Sequence, residues 1–200
     1  MGETGVIKFN CNWIKEGPLD NEVIADLNNW RDKLYKLGFI GVYENRIGYG
    51  NISKRYNKDQ FIISGTATGK YKKLSAEHYT RVTDYNLDKN SVTAKGPIIA
   101  SSESLTHALI YECDKNCNAV IHIHYLELWN KMMNKVPTTE KSVEYGTPAM
   151  AKEVKRLFVE TDLSEQKILV MAGHEEGIIS FGKDLEEAGS ILMEALRKYK

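Results

Sequence analysis

The chain has few cysteines, no excess charge of either sign and no long apolar run. Its 200 residues include three cysteines and equal numbers of basic and acidic residues, 27 of each. Three cysteines cannot form a disulfide framework, which favours a reducing compartment, the cytoplasm. A net charge of zero creates no long-range field for nucleic acid or an anionic membrane. We therefore expect a small molecule or a protein as the partner.

Targeting and membrane signals are also missing. No stretch approaches the roughly 18 apolar residues that a membrane helix requires. Residues 1–5 do not form a basic segment followed by an apolar run, as a secretory signal would, and Val6 breaks the myristoylation pattern. A chain of this length predicts one compact domain that buries roughly 70% of its unfolded surface.

The apolar periodicity predicts a mixed α/β domain around a central sheet. A helix that begins after Asp20 and ends at Gly38 has one apolar face, and Asp184 caps a similar helix near the C-terminus. Short strands are predicted over residues 50–56, 60–64, 79–85 and 91–94. Later segments alternate, with helices over 105–112 and from 147, and strands over 119–124, 167–172 and 178–181. Residues 1–19 are poorly patterned and predict an N-terminal arm, followed by a domain over residues 20–200.

Two histidines one residue apart are the clearest chemical signal. His122 and His124 end an apolar run, and alternate side chains of a strand share a face. The two imidazoles therefore point one way, while Ile121 and Ile123 point the other. His174 lies in a glycine-flanked segment between two strands, which suits a turn that presents a side chain. Three histidines with one open position are a common arrangement for a catalytic divalent metal.

Glu103 is the leading candidate for a catalytic base. It follows Ser101 and Ser102 where a helix is predicted to begin, and backbone N–H groups at a helix N-terminus favour anions. The alternative is a capped helix with an acidic first turn. For the two remaining histidines, His78 and His107, a structural role is the simpler interpretation.

Two further turns are rich in small hydrogen-bond donors. One covers residues 50–53, with the sequence Gly-Asn-Ile-Ser, and the other covers residues 64–70. Glycines let backbone N–H groups approach a phosphate, and serine or threonine hydroxyls add donors. Neither turn matches the P-loop pattern, and either could be an ordinary turn.

Taken in order, these segments resemble the class II aldolase/adducin family, whose nearest well-known type is fuculose phosphate aldolase. The resemblance runs from about residue 20 to residue 196. The motifs that carry it are residues 50–53, Thr68-Gly69, Ser101-Ser102-Glu103 with His107 four positions on, His122-x-His124 and the late His174.

The resemblance implies a fold and a site. The fold is a single three-layer α/β/α domain around a mostly antiparallel sheet, assembled as a homotetramer. One divalent metal ion per subunit, zinc or alternatively Mn²⁺, Co²⁺ or Fe²⁺, would bind His122, His124 and His174, with Glu103 as the acid/base. A pocket for the substrate phosphate would be formed by Asn51, Thr68, Gly69, Ser101 and Ser102.

The chain departs from the family pattern beside the third ligand. Members carry His-Gly there, whereas Glu175 and Glu176 separate His174 from Gly177. A shifted register could place one of these carboxylates near the metal instead. Family aldolases also use a tyrosine of a neighbouring subunit, for which Tyr199 is a candidate.

The implied activity is that of a carbon–carbon lyase. Such an aldolase cleaves or forms a bond in a phosphorylated ketose through a metal-stabilised enediolate, joining dihydroxyacetone phosphate to an aldehyde. The family also includes a dehydratase of methylthioribulose phosphate and an epimerase of ribulose phosphate, which the motifs do not separate. The adducin branch keeps the fold as a non-catalytic interaction module, which we would expect to lose the ligands or the base.

Overall fold

An eight-stranded sheet forms the centre of the computed structural model, which describes residues 7–199. The strands are β1 (Asn10–Lys15), β2 (Gly41–Val42), β3 (Gly48–Tyr49), β4 (Asn51–Arg55), β5 (Phe61–Ser64), β6 (Tyr79–Asn86), β7 (Ser91–Gly96), β8 (Ala119–His124), β9 (Ile168–Val170) and β10 (Gly177–Gly182). Their order in the sheet is β1-β7-β6-β5-β4-β8-β10-β9, and β2 pairs with β3 in a separate hairpin. The β1–β7 pair is parallel, and the other pairs are antiparallel.

Six helices cover the two faces of this sheet. They are α1 (Asn21–Lys36), α2 (Ser104–Cys113), α3 (Leu126–Met132), α4 (Pro148–Glu160), α5 (Leu163–Gln166) and α6 (Leu185–Lys198). Buried side chains of α1, α3 and α6 form one apolar core, and those of α2, α4 and α5 form the other. The predicted three-layer α/β/α fold with a mostly antiparallel sheet is confirmed.

The helix signals at the two ends were read correctly, with one difference in detail. Asp184 caps α6, because its Oδ1 accepts a 2.7 Å hydrogen bond from the Glu187 backbone N–H. Gly38 follows α1 with a φ of +75°, the left-handed conformation that ends many helices. Asp20 occupies the N-cap position of α1, but its side chain makes no capping hydrogen bond.

The expected arm over residues 1–19 needs correction within the described part of the chain. Residues 10–15 are strand β1, which pairs in parallel with β7, and the side chain of Phe9 is buried in the core. The segment was poorly patterned because β1 is an edge strand with mostly exposed side chains. Residues 1–6 lie outside the described residues. Within residues 7–199, no helix has the length and apolar character to cross a membrane.

Candidate active site

Strand β8 presents His122 and His124 on the same face of the sheet. Ile121 and Ile123 pack into the core beneath α1 and α6, as alternation requires. The two histidines therefore face the layer that contains α2. The neighbouring strand β4 places Asn51 directly opposite His122. The sheet register thus fixes three polar side chains at one point, and all three are buried.

His174 reaches the same point from the turn between β9 and β10. The turn is tight, because the Gly177 N–H donates to the His174 carbonyl at 2.8 Å and the His174 N–H donates to the Met171 carbonyl at 3.1 Å. A Cβ at position 177 would lie 2.9 Å from the His174 carbonyl oxygen and 3.3 Å from Cε1 of His122. Glycine at 177 therefore lets the two imidazoles approach each other.

The three imidazoles form a donor set that fits a divalent metal. One nitrogen from each of His122, His124 and His174 lies within 4.8 Å of the other two. The Nε2 atoms of His122 and His124 are 3.1 Å apart, close to the roughly 3.4 Å separating two nitrogens on one tetrahedral zinc ion. His174 Nδ1 is buried without a hydrogen-bond partner. These three residues could hold a divalent metal ion.

Burial keeps the three imidazoles neutral, the form that binds metals. Desolvation lowers the pKa of His122 and His174 far below the ordinary histidine value, and the neighbouring imidazoles lower it further. The pKa of His124 is also lowered by burial, against an opposing effect of Glu176. At neutral pH, all three side chains therefore have a nitrogen lone pair available.

Glu103 lies at the N-terminus of α2 beside this cluster. Its Oε2 accepts a 2.9 Å hydrogen bond from the Thr106 hydroxyl, whereas Oε1 is buried without a partner, 3.6 Å from Nδ1 of His174. Burial raises the pKa of Glu103 to about 7, although the Thr106 hydroxyl and the charge of Lys8 oppose this shift. A carboxyl group with this pKa is suited to both giving and taking a proton near neutral pH.

All nine residues singled out in the sequence line one cleft. The nine are Asn51, Thr68, Gly69, Ser101, Ser102, Glu103, His122, His124 and His174. Five of them, Asn51, Thr68, Gly69, Ser101 and Ser102, come from the segments that are rich in small hydrogen-bond donors. None of the described residues that line the cleft is lysine or arginine. An anion bound there would therefore depend on hydroxyl, amide and backbone donors.

The loop that carries Thr68 and Gly69 is fixed from behind by a buried arginine. The guanidinium of Arg31 donates to the Lys72 carbonyl at 2.8 Å and to the Thr68 carbonyl at 3.3 Å. A Cβ at Gly69 would lie 1.9 Å from the Gly41 carbonyl oxygen, so this position requires glycine. Contacts within the protein therefore hold this loop in place.

Two aromatic residues in the site carried no clear sequence signal. Tyr145 lines the cleft and stacks on His174, with ring centroids 4.2 Å apart. The ammonium group of Lys8 lies 3.8 Å above the Tyr145 ring, so the N-terminal segment reaches the site. Tyr43 lies behind His124, where its hydroxyl is 2.8 Å from Nδ1. No spacing rule links these residues to the histidines, since they come from separate loops.

The inserted acids do not join the ligand cluster. Glu175 is exposed. The Glu176 carboxylate lies 3.7 Å from Nδ1 of His124, on the opposite side of the ring from Nε2. The neighbouring His124 imidazole lowers the pKa of Glu176, burial opposes this shift, and the Tyr43 hydroxyl, which donates to the carboxylate, lowers the pKa further. Burial and the hydrogen bond to Glu176 raise the pKa of Tyr43.

The other two histidines have structural partners outside the cleft. His107 is fully buried, its Nδ1 lies 2.7 Å from Oγ of Ser53, and burial lowers its pKa to about 3. His78 forms a capping box with Ser75 at a single 3₁₀ turn. Both placements agree with a packing role.

The α/β/α fold and a cleft with three histidines and a buried carboxyl group are typical of a metal-dependent enzyme. A comparison with family profiles identifies the family. The profile described as "Class II Aldolase and Adducin N-terminal domain" matches residues 44–197. The chain therefore belongs to the class II aldolase/adducin family, whose aldolases bind a divalent metal. No curated protein matches the chain in sequence.

Solved structures share this fold at low sequence identity. An L-fuculose 1-phosphate aldolase is 18% identical to this chain, with a TM-score of 0.67. The alignment covers 90% of this chain and 84% of the aldolase chain. The L-fuculose-1-phosphate aldolase of Thermus thermophilus is 19% identical with a TM-score of 0.61, covering 90% and 91%. YgbL of Escherichia coli, described only as an aldolase, epimerase or decarboxylase candidate, is 16% identical with a TM-score of 0.63, covering 90% and 86%. These likenesses show the fold.

Proposed function

We propose that the protein is a metal-dependent aldolase that cleaves or forms a carbon–carbon bond in a phosphorylated ketose. The observation that carries this proposal is Glu103, a buried carboxyl group with a pKa of about 7, beside three neutral histidines in one cleft. An acid/base beside a candidate metal centre is the pair of groups that this chemistry requires. Their presence argues against a non-catalytic adducin-like module.

The metal would be held by His122, His124 and His174, and we propose zinc. When bound, it supplies a Lewis acid for the negative charge that develops on the ketose oxygens. His122 and His124 are fixed by the sheet and His174 by a tight turn, so the ligands are held in place before binding. The donor set is neutral, which leaves the full charge of the ion for this purpose.

Glu103 moves the proton at the nucleophilic carbon. In the cleavage direction, a base takes the proton of the C4 hydroxyl and the C3–C4 bond breaks, with the electron pair left on C3. Protonated Glu103 then delivers its proton to C3, releasing a three-carbon ketose phosphate and an aldehyde. The proton held by the base returns to Glu103 through solvent, which restores the starting state. In condensation, the Glu103 carboxylate removes that proton. The Thr106 hydroxyl holds Oε2, which leaves Oε1 free for the substrate.

The substrate phosphate would occupy the part of the cleft that is rich in small donors. Asn51, Thr68, Gly69, Ser101 and Ser102 line it, and the N-terminus of α2 adds its dipole. Binding energy from the phosphate is remote from the reacting carbon, so it fixes the orientation of the substrate. We further propose a homotetramer, by resemblance to the family, and a cytoplasmic location, which the three free cysteines support.

A product assay tests the proposal directly. Zinc-loaded protein is incubated with a panel of phosphorylated ketoses, and products are identified by mass. A three-carbon ketose phosphate plus an aldehyde is the expected result. If metal-loaded protein turns over no ketose of the panel, the aldolase assignment is contradicted. Sedimentation equilibrium tests the tetramer through the mass of the particle.

A second reaction on the same site is favoured by one comparison. YgbL, described with epimerase and decarboxylase as well as aldolase chemistry, shares the fold about as well as the fuculose phosphate aldolases do. A methylthioribulose-phosphate dehydratase or a ribulose-phosphate epimerase would use the same cleft. Loss of water with the carbon chain intact would indicate dehydration, and an unchanged mass with altered stereochemistry would indicate epimerisation.

A further inference from the structure

Two segments that are far apart in sequence meet behind the candidate metal centre. Tyr43 lies in the turn of the β2–β3 hairpin, and Glu176 lies in the turn between β9 and β10. The Tyr43 hydroxyl is 2.5 Å from Oε2 of Glu176 and 2.8 Å from Nδ1 of His124. Neither Tyr43 nor Glu176 lines the cleft that contains Glu103, and both line a second pocket on the other side of His124.

The chemistry of the three groups fixes the direction of both hydrogen bonds. A tyrosine hydroxyl has one hydrogen, and an ionised carboxylate can only accept. Tyr43 therefore donates to Glu176, so its oxygen must accept from Nδ1–H of His124. With the proton on Nδ1, Nε2 of His124 carries a lone pair.

His122 is fixed in the same tautomer by a backbone group. Its Nδ1 lies 3.2 Å from the Ile178 carbonyl oxygen, which can only accept. Both Nε2 atoms thus carry lone pairs, and they face each other across 3.1 Å. Two lone pairs at this distance repel unless a cation lies between them, so the polarity of both imidazoles suits metal binding.

Both ends of the Tyr43–Glu176 contact are held by the backbone. The Tyr43 N–H donates to the Ile47 carbonyl at 2.9 Å, and the Tyr43 ring packs on Tyr49 with centroids 4.4 Å apart. The Glu176 carbonyl accepts a 3.0 Å hydrogen bond from the N–H of Tyr125, which is the residue that follows His124. The contact is therefore preorganised, rather than a chance meeting of two flexible side chains.

We propose that Tyr43 and Glu176 are positioning residues that form a carboxylate–tyrosine–imidazole relay and hold His124 in its metal-binding tautomer. The relay gives a role to one of the two acids inserted beside His174, and it rests on the proposed metal centre. Partners of this kind orient a ligand and raise its basicity, and their loss weakens metal binding by about 10- to 100-fold.

Zinc affinity measured by competition with a chelator tests the relay. Tyr43→Phe removes the bridging hydroxyl, and Glu176→Ala frees that hydroxyl to donate to His124 instead. Each variant is expected to bind zinc about 10- to 100-fold more weakly. Because both break one relay, the double variant should lose less than the product of the two single effects. Glu175→Ala is the matched control, since it removes the same charge from the same turn without touching Tyr43.

Two results would overturn the relay. The first is a zinc affinity equal to that of wild type in both Tyr43→Phe and Glu176→Ala. The second is a loss of zinc affinity in Glu175→Ala as large as that in Glu176→Ala, because this would indicate a general charge effect. Thermal unfolding of each variant checks that the fold persists, and Glu176→Ala on its partly exposed turn serves if Tyr43→Phe does not fold.

A spectroscopic measurement separates failure of the relay from failure of the proposed function. In metal-free protein with ¹⁵N-labelled histidine, NMR should show His124 protonated on Nδ1, and Glu176→Ala should shift the proton toward Nε2. Wild-type protein that binds no zinc but shows this tautomer would contradict the metal centre alone. An Nε2-protonated His124 in wild type would contradict the relay itself.

Discussion

Oε1 of Glu103 lies 3.6 Å from Nδ1 of His174, and both atoms are buried without a hydrogen-bond partner in the described structure. Unpaired buried polar atoms are costly, so a pair of them in a cleft indicates a place where a ligand supplies the missing partners. This relationship links the candidate acid/base to the third candidate metal ligand.

The first prediction concerns Glu103. Glu103→Gln keeps the shape of the side chain but removes its ability to exchange a proton, so turnover should fall by about 10²- to 10⁴-fold while zinc stays bound. Steady-state kinetics and elemental analysis measure the two effects. Glu112→Gln, at the exposed end of the same helix, is the control. Full activity in Glu103→Gln would refute its assigned role.

The second prediction concerns the metal centre. His122→Ala removes one of two nitrogens that lie 3.1 Å apart, so the purified variant should lose its bound metal. Elemental analysis gives the metal content per chain, with His78→Ala as the control outside the cleft. Unchanged metal content in a folded His122→Ala protein would refute the site.

The third prediction concerns the hydroxyl that holds Glu103. Thr106→Val preserves the shape of the side chain but removes the 2.9 Å hydrogen bond to Oε2. A hydrogen bond to a charged group contributes about 1.5–3 kcal/mol, so kcat should fall by roughly 10- to 100-fold with little change in KM. Thr106→Ser, which keeps the hydroxyl, should restore most of the rate. Equal rates in the valine and serine variants would show that the hydroxyl does not position Glu103.

The fourth prediction concerns Arg31, which lies behind the loop that carries Thr68 and Gly69. Arg31→Met removes two hydrogen bonds to loop carbonyls, so unfolding free energy should fall by about 1.5–3 kcal/mol and KM for phosphorylated substrates should rise. Arg55 also donates to backbone carbonyls, but they lie away from the cleft. Arg55→Met should therefore lose stability in urea without a change in KM. A rise in KM of similar size in both variants would contradict the specific role of Arg31.

Local sequence patterns were sufficient where structure depends on near neighbours. The strand that carries His122 and His124 was predicted correctly, because alternation is a property of any strand. The N-cap and apolar face of α6 were also predicted, since they depend on residues within a few positions. The nine site residues were chosen partly from these patterns and partly from the family resemblance, and the structure brings them into one cleft.

Patterns failed where a contact joins distant segments. Helix α3 was missed, because its seven residues are too few for a clear period. Strand β1 was taken for an arm, since it gains its structure by pairing with β7, about 80 residues away. The stacking of Tyr145 on His174 is a tertiary contact that no local pattern predicts.

The sequence by itself determined the layered α/β fold and the family, because the apolar periods and ordered motifs of this chain are local properties. Only the tertiary structure decided which side chains contact these motifs and how deeply the motifs are buried. Tyr43 and Glu176 are 133 positions apart, and only the folded sheet brings them together at His124. Likewise, burial raises the pKa of Glu103 to about 7, and burial exists only once the layers have packed.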